Sequence, residues 1–329
     1  MAVLHTINLI TQCLCFPIIT LFVALRLWVR IRLQQGLAAE DYTCLIGWAL
    51  FMGYCAVSLY VGEYGGGYPY SEVSEANLVL FRKFCYAATL FYCPMAFFVK
   101  VALLSILTRI FSPYRSKVLF IYIFLAVLCS YYIAALIIKI RMCLPIPTYW
   151  LGTGGHCLDQ QAALIADSVI SVVSDLIILL LPLPLTWSLQ MSRNRKLRVM
   201  GILGAGGLAT AFSLYRLVLV LQDGSSPDQT IIFTKVILSG NAEGGVGLIC
   251  TCLPTFNHLL NHFCHNGFST SKKYASSGYP MGHYGENTTV VEAEIGLERE
   301  GDQTVLIKES ELYQGIQRTV EVQQWVSHH

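Results

Sequence analysis

The run VLFIYIFLAVLCSYYIAALII, Val118–Ile138, contains no charged residue. About 20 residues of helix cross the hydrocarbon of a bilayer, so this run predicts one membrane-spanning helix. Working outward, six further runs satisfy the same test: residues 4–27, 43–62, 84–107, 162–187, 199–221 and 231–253. The expectation is an all-α, seven-transmembrane-helix bundle spanning residues 1–256. The first run is read as a retained helix rather than a leader, because Arg26, Arg30 and Arg32 follow it and no basic residues precede it.

Composition agrees. Of 329 residues, 55% are hydrophobic and 13% charged, about half the charge that covers a soluble domain. A net charge of +2 argues against a nucleic-acid partner, and the lipid bilayer is the implied surrounding. Residues 257–329 turn polar, acidic and Gln-rich, without apolar periodicity. They are read as a mostly disordered tail, with a short helix near Val305–Tyr313.

Orientation follows from the basic residues. The odd loops hold Arg26, Arg30, Arg32, Arg109, Arg115, Lys117, Arg193, Arg195, Lys196 and Arg198; the even loops hold only Arg82, Lys83, Lys139 and Arg141. The positive-inside bias places the amino terminus outside and the tail in the cytoplasm. The loop KIRMCLPIPTYWLGTGGHCLD, Lys139–Asp159, then faces an oxidising compartment, where Cys143 and Cys157 can bridge. Cys85 is the competing partner. A metal site using Cys143, His156 and Cys157 is disfavoured, because adjacent ligands close a tetrahedron poorly and no fourth is near.

Ionisable groups inside lipid are costly and mark function or internal pairing. Here they are Lys100, Asp167, Asp175, Arg216, Lys235 and Glu243. At 1.5 Å per residue, Asp167 and Arg216 lie roughly 8 Å from the outer helix ends, and Lys100, Asp175 and Glu243 roughly 18–24 Å in. Two depth-matched sets of opposite sign are expected, the deeper one as a single cluster. Asp167, Ser171, Ser174 and Asp175 fall on one helical face. That stripe is read either as internal pairing that fixes helix register or as the polar floor of a ligand cavity. GNAEGGVG brings Gly240 and Gly244 to the small-xxx-small spacing of closely packed membrane helices. A retinal Schiff base needs a lysine deep in the last helix; Lys235 lies near its outer end, so no retinal and no other cofactor or metal is expected.

Several segments together resemble the fungal rhodopsin-domain integral membrane proteins. They are RLWVRIRL and AEDY between Arg26 and Tyr42, VKVALLSILTRIF at Val99–Phe111, and the lid between Cys143 and Cys157. DLIILLLPLPLTWSLQM at Asp175–Met191, Arg216 and EGGVGLICTCLP at Glu243–Pro254 complete the set. The resemblance implies the fold and the membrane, with members in secondary-metabolite gene clusters and among receptor-like proteins. Two departures are Glu40–Asp41 in place of paired aspartates, and Tyr68 where a histidine often closes the Gly-rich segment.

Two functions are expected to compete. One is a receptor-like sensor of a small apolar or amphipathic molecule, signalling through a cytoplasmic partner of the tail. The other is a membrane-embedded enzyme or accessory protein acting on a lipophilic substrate, with Asp175 or Glu243 as a buried acid. A transporter is third, since no inverted repeat is visible.

Overall fold

The computed structural model describes residues 2–33, 36–112, 114–182, 193–224, 226 and 228–269. Long helices dominate it: α1 (Ala2–Leu33), α2 (Ala39–Glu63), α3 (Glu75–Ile110) and α4 (Arg115–Ile140). After a lid carrying the four-residue helix α5 (Thr148–Leu151) come α6 (Gln160–Leu180), α7 (Arg193–Asp223) and α8 (Gln229–Ser269). Among the described residues, six helices are long and apolar enough to cross a membrane: α1 to α4, α6 and α8. The seventh expected run is helical as α7 but is not among the six.

The boundaries move for physical reasons. α6 ends at Leu180, short of the expected 187; Leu181 keeps helical backbone, and Pro182, which lacks an N–H to continue the ladder, follows. Pro184, which by its lack of an N–H would also interrupt a helix here, lies outside the described residues. Pro94 and Pro254 instead sit inside continuous helices. α8 runs past the expected end of the bundle to Ser269; the rest of the expected tail, including the short helix near 305–313, lies outside the described residues.

α3 and α8 occupy the middle. α3 packs on α2, α4 and α8, and α8 also on α1, α2 and α7. Glycine permits the closest approach: a Cβ on Gly240 would stand 2.7 Å from the Tyr54 hydroxyl, and one on Gly244 2.8 Å from Met95 Cε. The outer helices turn apolar side chains away from the protein. Leu119, Phe120, Ile123, Val127, Ile133 and Ile137 of α4 are all exposed, as a lipid-facing surface requires.

The lid closes one end of the bundle. Cys143–Leu144 pairs antiparallel with His156–Cys157, and Cys143 and Cys157 are joined by a disulfide. Cys85 stays a buried free thiol. Arg82 donates to the Trp150 carbonyl at 3.5 Å, the Tyr86 hydroxyl donates to the Ile140 carbonyl at 3.0 Å, and Tyr86 packs its ring on Tyr149 and Trp150. The lid is thus anchored to the first turns of α3. Tyr68, the departure in the Gly-rich turn, packs against His5 of α1, with ring centroids 5.5 Å apart.

Candidate functional site

Lys100 projects from the middle of α3, where its charge is 3% exposed. Its ammonium pairs with Asp175 and donates to Ser174 Oγ at 2.8 Å, Ser171 Oγ at 3.2 Å and the Ser171 carbonyl at 3.3 Å; Glu243 Oε1 lies 3.7 Å away. Three donors meet more than three acceptors, so the cation is fully satisfied. Ser171 passes its own proton to Glu243 Oε1 at 2.5 Å, and Ser213 of α7 donates to Asp175 Oδ2 at 2.7 Å. The serines occupy the i, i+3 positions that put them on the same face as Asp175.

The other carboxylate oxygen of Glu243 belongs to a different set. Arg216 Nη1 lies 2.9 Å from Oε2, the Tyr92 hydroxyl donates to the same oxygen at 2.9 Å, and the guanidinium stacks over the Tyr92 ring at 4.6 Å. Arg216, Lys100, Asp175 and Glu243 therefore form one connected cluster linking α3, α6, α7 and α8. Asp167 does not pair with Arg216, as depth alone would place it. It pairs with Lys139 of α4 and accepts from the Tyr131 hydroxyl at 3.1 Å. Depth along the helix axes failed here because an Arg side chain reaches more than a helical turn. Lys139, counted above as a loop charge, is 4% exposed in the last turn of α4 and lies 5.5 Å over the other side of the Tyr92 system. Sequence reasoning missed Lys139, Tyr92 and Ser213. Lys139 carried little signal, since it is the penultimate residue of α4 and a lysine at a helix end ordinarily reaches the interface.

Lys235, six residues after the start of α8, takes no part in the cluster's pairs.

A cavity of about 410 Å³ opens under the lid, bounded by Phe81, Arg82, Tyr149, Gln161 and Val220 among others. Burial pushes the Tyr149 phenol above its ordinary range, and its oxygen accepts from Gln160 Nε2 at 2.5 Å. A smaller cavity of about 30 Å³ lies against Tyr54, Tyr92, Lys139, Asp167 and Arg216. Cys85, Leu164, Phe233 and Val236 border both, so the two cavities share a wall, and Arg216 of the charge cluster lines the inner one.

A second buried charge cluster lies at the opposite end of the bundle. Arg26 Nε donates to Asp41 Oδ1 at 2.9 Å and its Nη1 donates to the Thr251 carbonyl; Arg30 pairs with Glu40, and Arg109 Nη1 reaches Glu40 at 3.2 Å. Arg26 and Arg30, read above as loop residues, belong to α1. The helix continues to Leu33 because these arginines are neutralised within it.

A protein-family model described as the fungal rhodopsin domain matches residues 25–262, most of the chain. The protein belongs to that family. The match runs from the arginines of one cluster, through both sets of ion pairs, to the end of the bundle. Relatives within reach of it are distant. A "SAT4 family membrane protein" of Emericella nidulans is 28% identical over 64% of this chain, and that match spans only 54% of the relative's own length. The "Polyenoic acids biosynthesis gene cluster protein Ba17b" of Metarhizium anisopliae is 27% identical over 74% of this chain and 71% of its own. The "Receptor GIN3" of Arthrobotrys oligospora is 23% identical over 84% of this chain and 69% of its own. As a member of this fungal rhodopsin-domain family with several apolar spans, the protein is a multi-pass membrane protein whose surroundings are lipid.

Proposed function

We propose that this protein is a seven-span, receptor-like sensor that admits a small apolar or amphipathic molecule beneath its lid and answers through the far end of the bundle. The observation that carries this reading is the cavity of about 410 Å³ under the disulfide-stapled lid, which adjoins the smaller cavity lined by Arg216 of the central charge cluster. Its lining pairs an apolar side, with Leu78, Phe81, Leu164 and Val236, with polar groups such as Arg82 and Gln229, a mixture suited to an amphipathic small molecule.

α7 supplies the seventh span. Its polar residues Thr210, Ser213 and Arg216 are buried, with Ser213 and Arg216 paired to Asp175 and Glu243. Leu214, Val218 and Leu221 fall on one exposed face fit for lipid. With the amino terminus outside, the lid faces the exterior. Residues 1–256 are then the membrane domain, and 257–329 a cytoplasmic tail available to a signalling partner. A glycan on the Asn287 sequon, which lies outside the described residues, would place the tail in the secretory lumen and overturn this orientation.

The second reading is a membrane-embedded enzyme or accessory protein of secondary metabolism, favoured by the cluster-protein names among the relatives. Against an acid role, Asp175 and Glu243 both lie within ion-pair range of Lys100, which favours their charged forms. Deleting the gene in its native fungus and profiling both metabolites and responses separates the two. A changed response with normal chemistry is expected; a missing or stalled metabolite with normal responses would replace the sensor by the enzyme.

A further inference from the structure

Arg216 is 3% exposed. Of its guanidinium, Nη1 faces Glu243 and one flat side is covered by Tyr92, whereas Nε and Nη2 take no hydrogen-bond partner among the described residues. The orphaned donors at the other cluster are different in kind. Arg26 Nη2 lies 2.7 Å from Asp41 and Arg30 Nε 3.4 Å from it, so a carboxylate already faces each. Arg216 lines the small cavity, which shares Cys85, Leu164, Phe233 and Val236 with the lid cavity, while Nε and Nη2 themselves lie sealed just beneath the surface, so a small turn of the guanidinium would present them. A buried donor without an acceptor costs on the order of 1–3 kcal/mol, which an incoming acceptor recovers.

The charge around this spot fixes what that acceptor should be. Lys139 is matched by Asp167, Arg216 by Glu243 and Lys100 by Asp175, so three cations face three anions. A ligand carboxylate would add an uncompensated charge at a site enclosed by lipid and protein, and that desolvation is expensive. An uncharged oxygen acceptor adds none. Size points the same way: about 30 Å³ holds one small group rather than a whole ligand, and the larger volume lies outward under the lid.

We propose that the lid cavity takes a neutral lipophilic molecule bearing a carbonyl or similar oxygen, and that Arg216 Nε and Nη2 grip that oxygen while the apolar body rests among Cys85, Leu164, Phe233 and Val236. This rests on the cavity reading above and narrows it: the site selects uncharged acceptors and rejects carboxylates of the same carbon count.

The test uses full-length protein in nanodiscs and 1-aminoanthracene, a neutral dye that brightens in apolar cavities. It is displaced by two ten-carbon probes, δ-decalactone and decanoate, at neutral pH, where decanoate is ionised and the lactone ring stays closed. On the wild-type protein the lactone should displace dye at roughly tenfold or more lower concentration than decanoate, the ratio expected of a hydrogen bond to a charged group. Arg216→Met combined with Glu243→Gln keeps the cluster neutral and should erase that preference while the dye still binds. Because this pair of changes can cost folding, Val236→Phe is the second variant; it leaves every ion pair in place and should weaken dye and lactone together. A saturable dye signal with decanoate as effective as the lactone, or a preference that survives loss of Arg216, overturns the acceptor proposal and leaves the cavity reading standing. No saturable dye signal at all overturns both.

Discussion

At one end of the bundle, Arg26 and Arg30 of α1 meet Glu40 and Asp41 of α2; in the middle, Lys100, Arg216, Asp175 and Glu243 come from four different helices. Both clusters are buried, yet they are built differently. The first closes over 10 to 15 residues of chain, and Asp41 doubles as a helix cap, accepting from the Ala38 amide at 2.9 Å. Arg109 of α3 and the Thr251 carbonyl of α8 then join this local frame. The second closes over separations of 71 to 75 residues from Lys100 to α6 and farther still to α8, and it abuts a cavity. The first cluster has a local frame in the α1–α2 hairpin; the second has none and exists only when the whole bundle is assembled, and a ligand entering beside it can change its balance.

The contrast can be broken from either side. The largest loss is expected at Asp41→Ala, which strands the Arg26 charge and uncaps α2 at once. Roughly 3–5 kcal/mol for the broken pair and about 1 kcal/mol for the cap should abolish most folded yield, read by size-exclusion chromatography in detergent. In the central cluster, Glu243→Gln and Lys100→Met should each cost about 3–5 kcal/mol, while the double change is milder than their sum because neither charge is then left alone. Additive behaviour in thermal unfolding would show that these residues do not couple.

Smaller effects sharpen the comparison. Replacing Cys143 and Cys157 by serine opens a loop with a sequence separation of 14, worth about 3 kcal/mol in the chain-entropy account. The loss should fall on lid protection in hydrogen exchange and leave the far cluster unchanged. Arg109→Ala should matter least. Its side chain is 65% exposed although it reaches Glu40, and exposed pairs are worth about 0–1 kcal/mol.

Much of the fold was legible in the amino acids, because lipid asks one question of every segment and charge-free runs answer it. α4 was placed within a few residues at each end for that reason. α7 was read as a span from the same pattern, with Arg216 as the one charged residue of 199–221; it is helical over Arg193–Asp223 but is not among the six apolar helices of the described residues. The disulfide could be read from loop length and compartment. The members of the deeper set were readable from the cost of unpaired charge in lipid, whereas the pairing of Asp167 was not. Which partner a long side chain takes depends on how helices rotate about their axes, and Lys139 looked like a boundary charge until α4 was seen to turn it inward.

That a cavity rather than a brace is the business end of the central cluster is tested most directly by Val236→Phe. This residue borders both cavities and takes no part in the ion pairs of the cluster. Space for the added ring lies alongside it, so packing strain should be small. Expressed in the deletion strain, the variant should accumulate to the wild-type level with an unchanged melting temperature and fail to restore the lost response. Full restoration by a well-folded Val236→Phe protein would contradict the account.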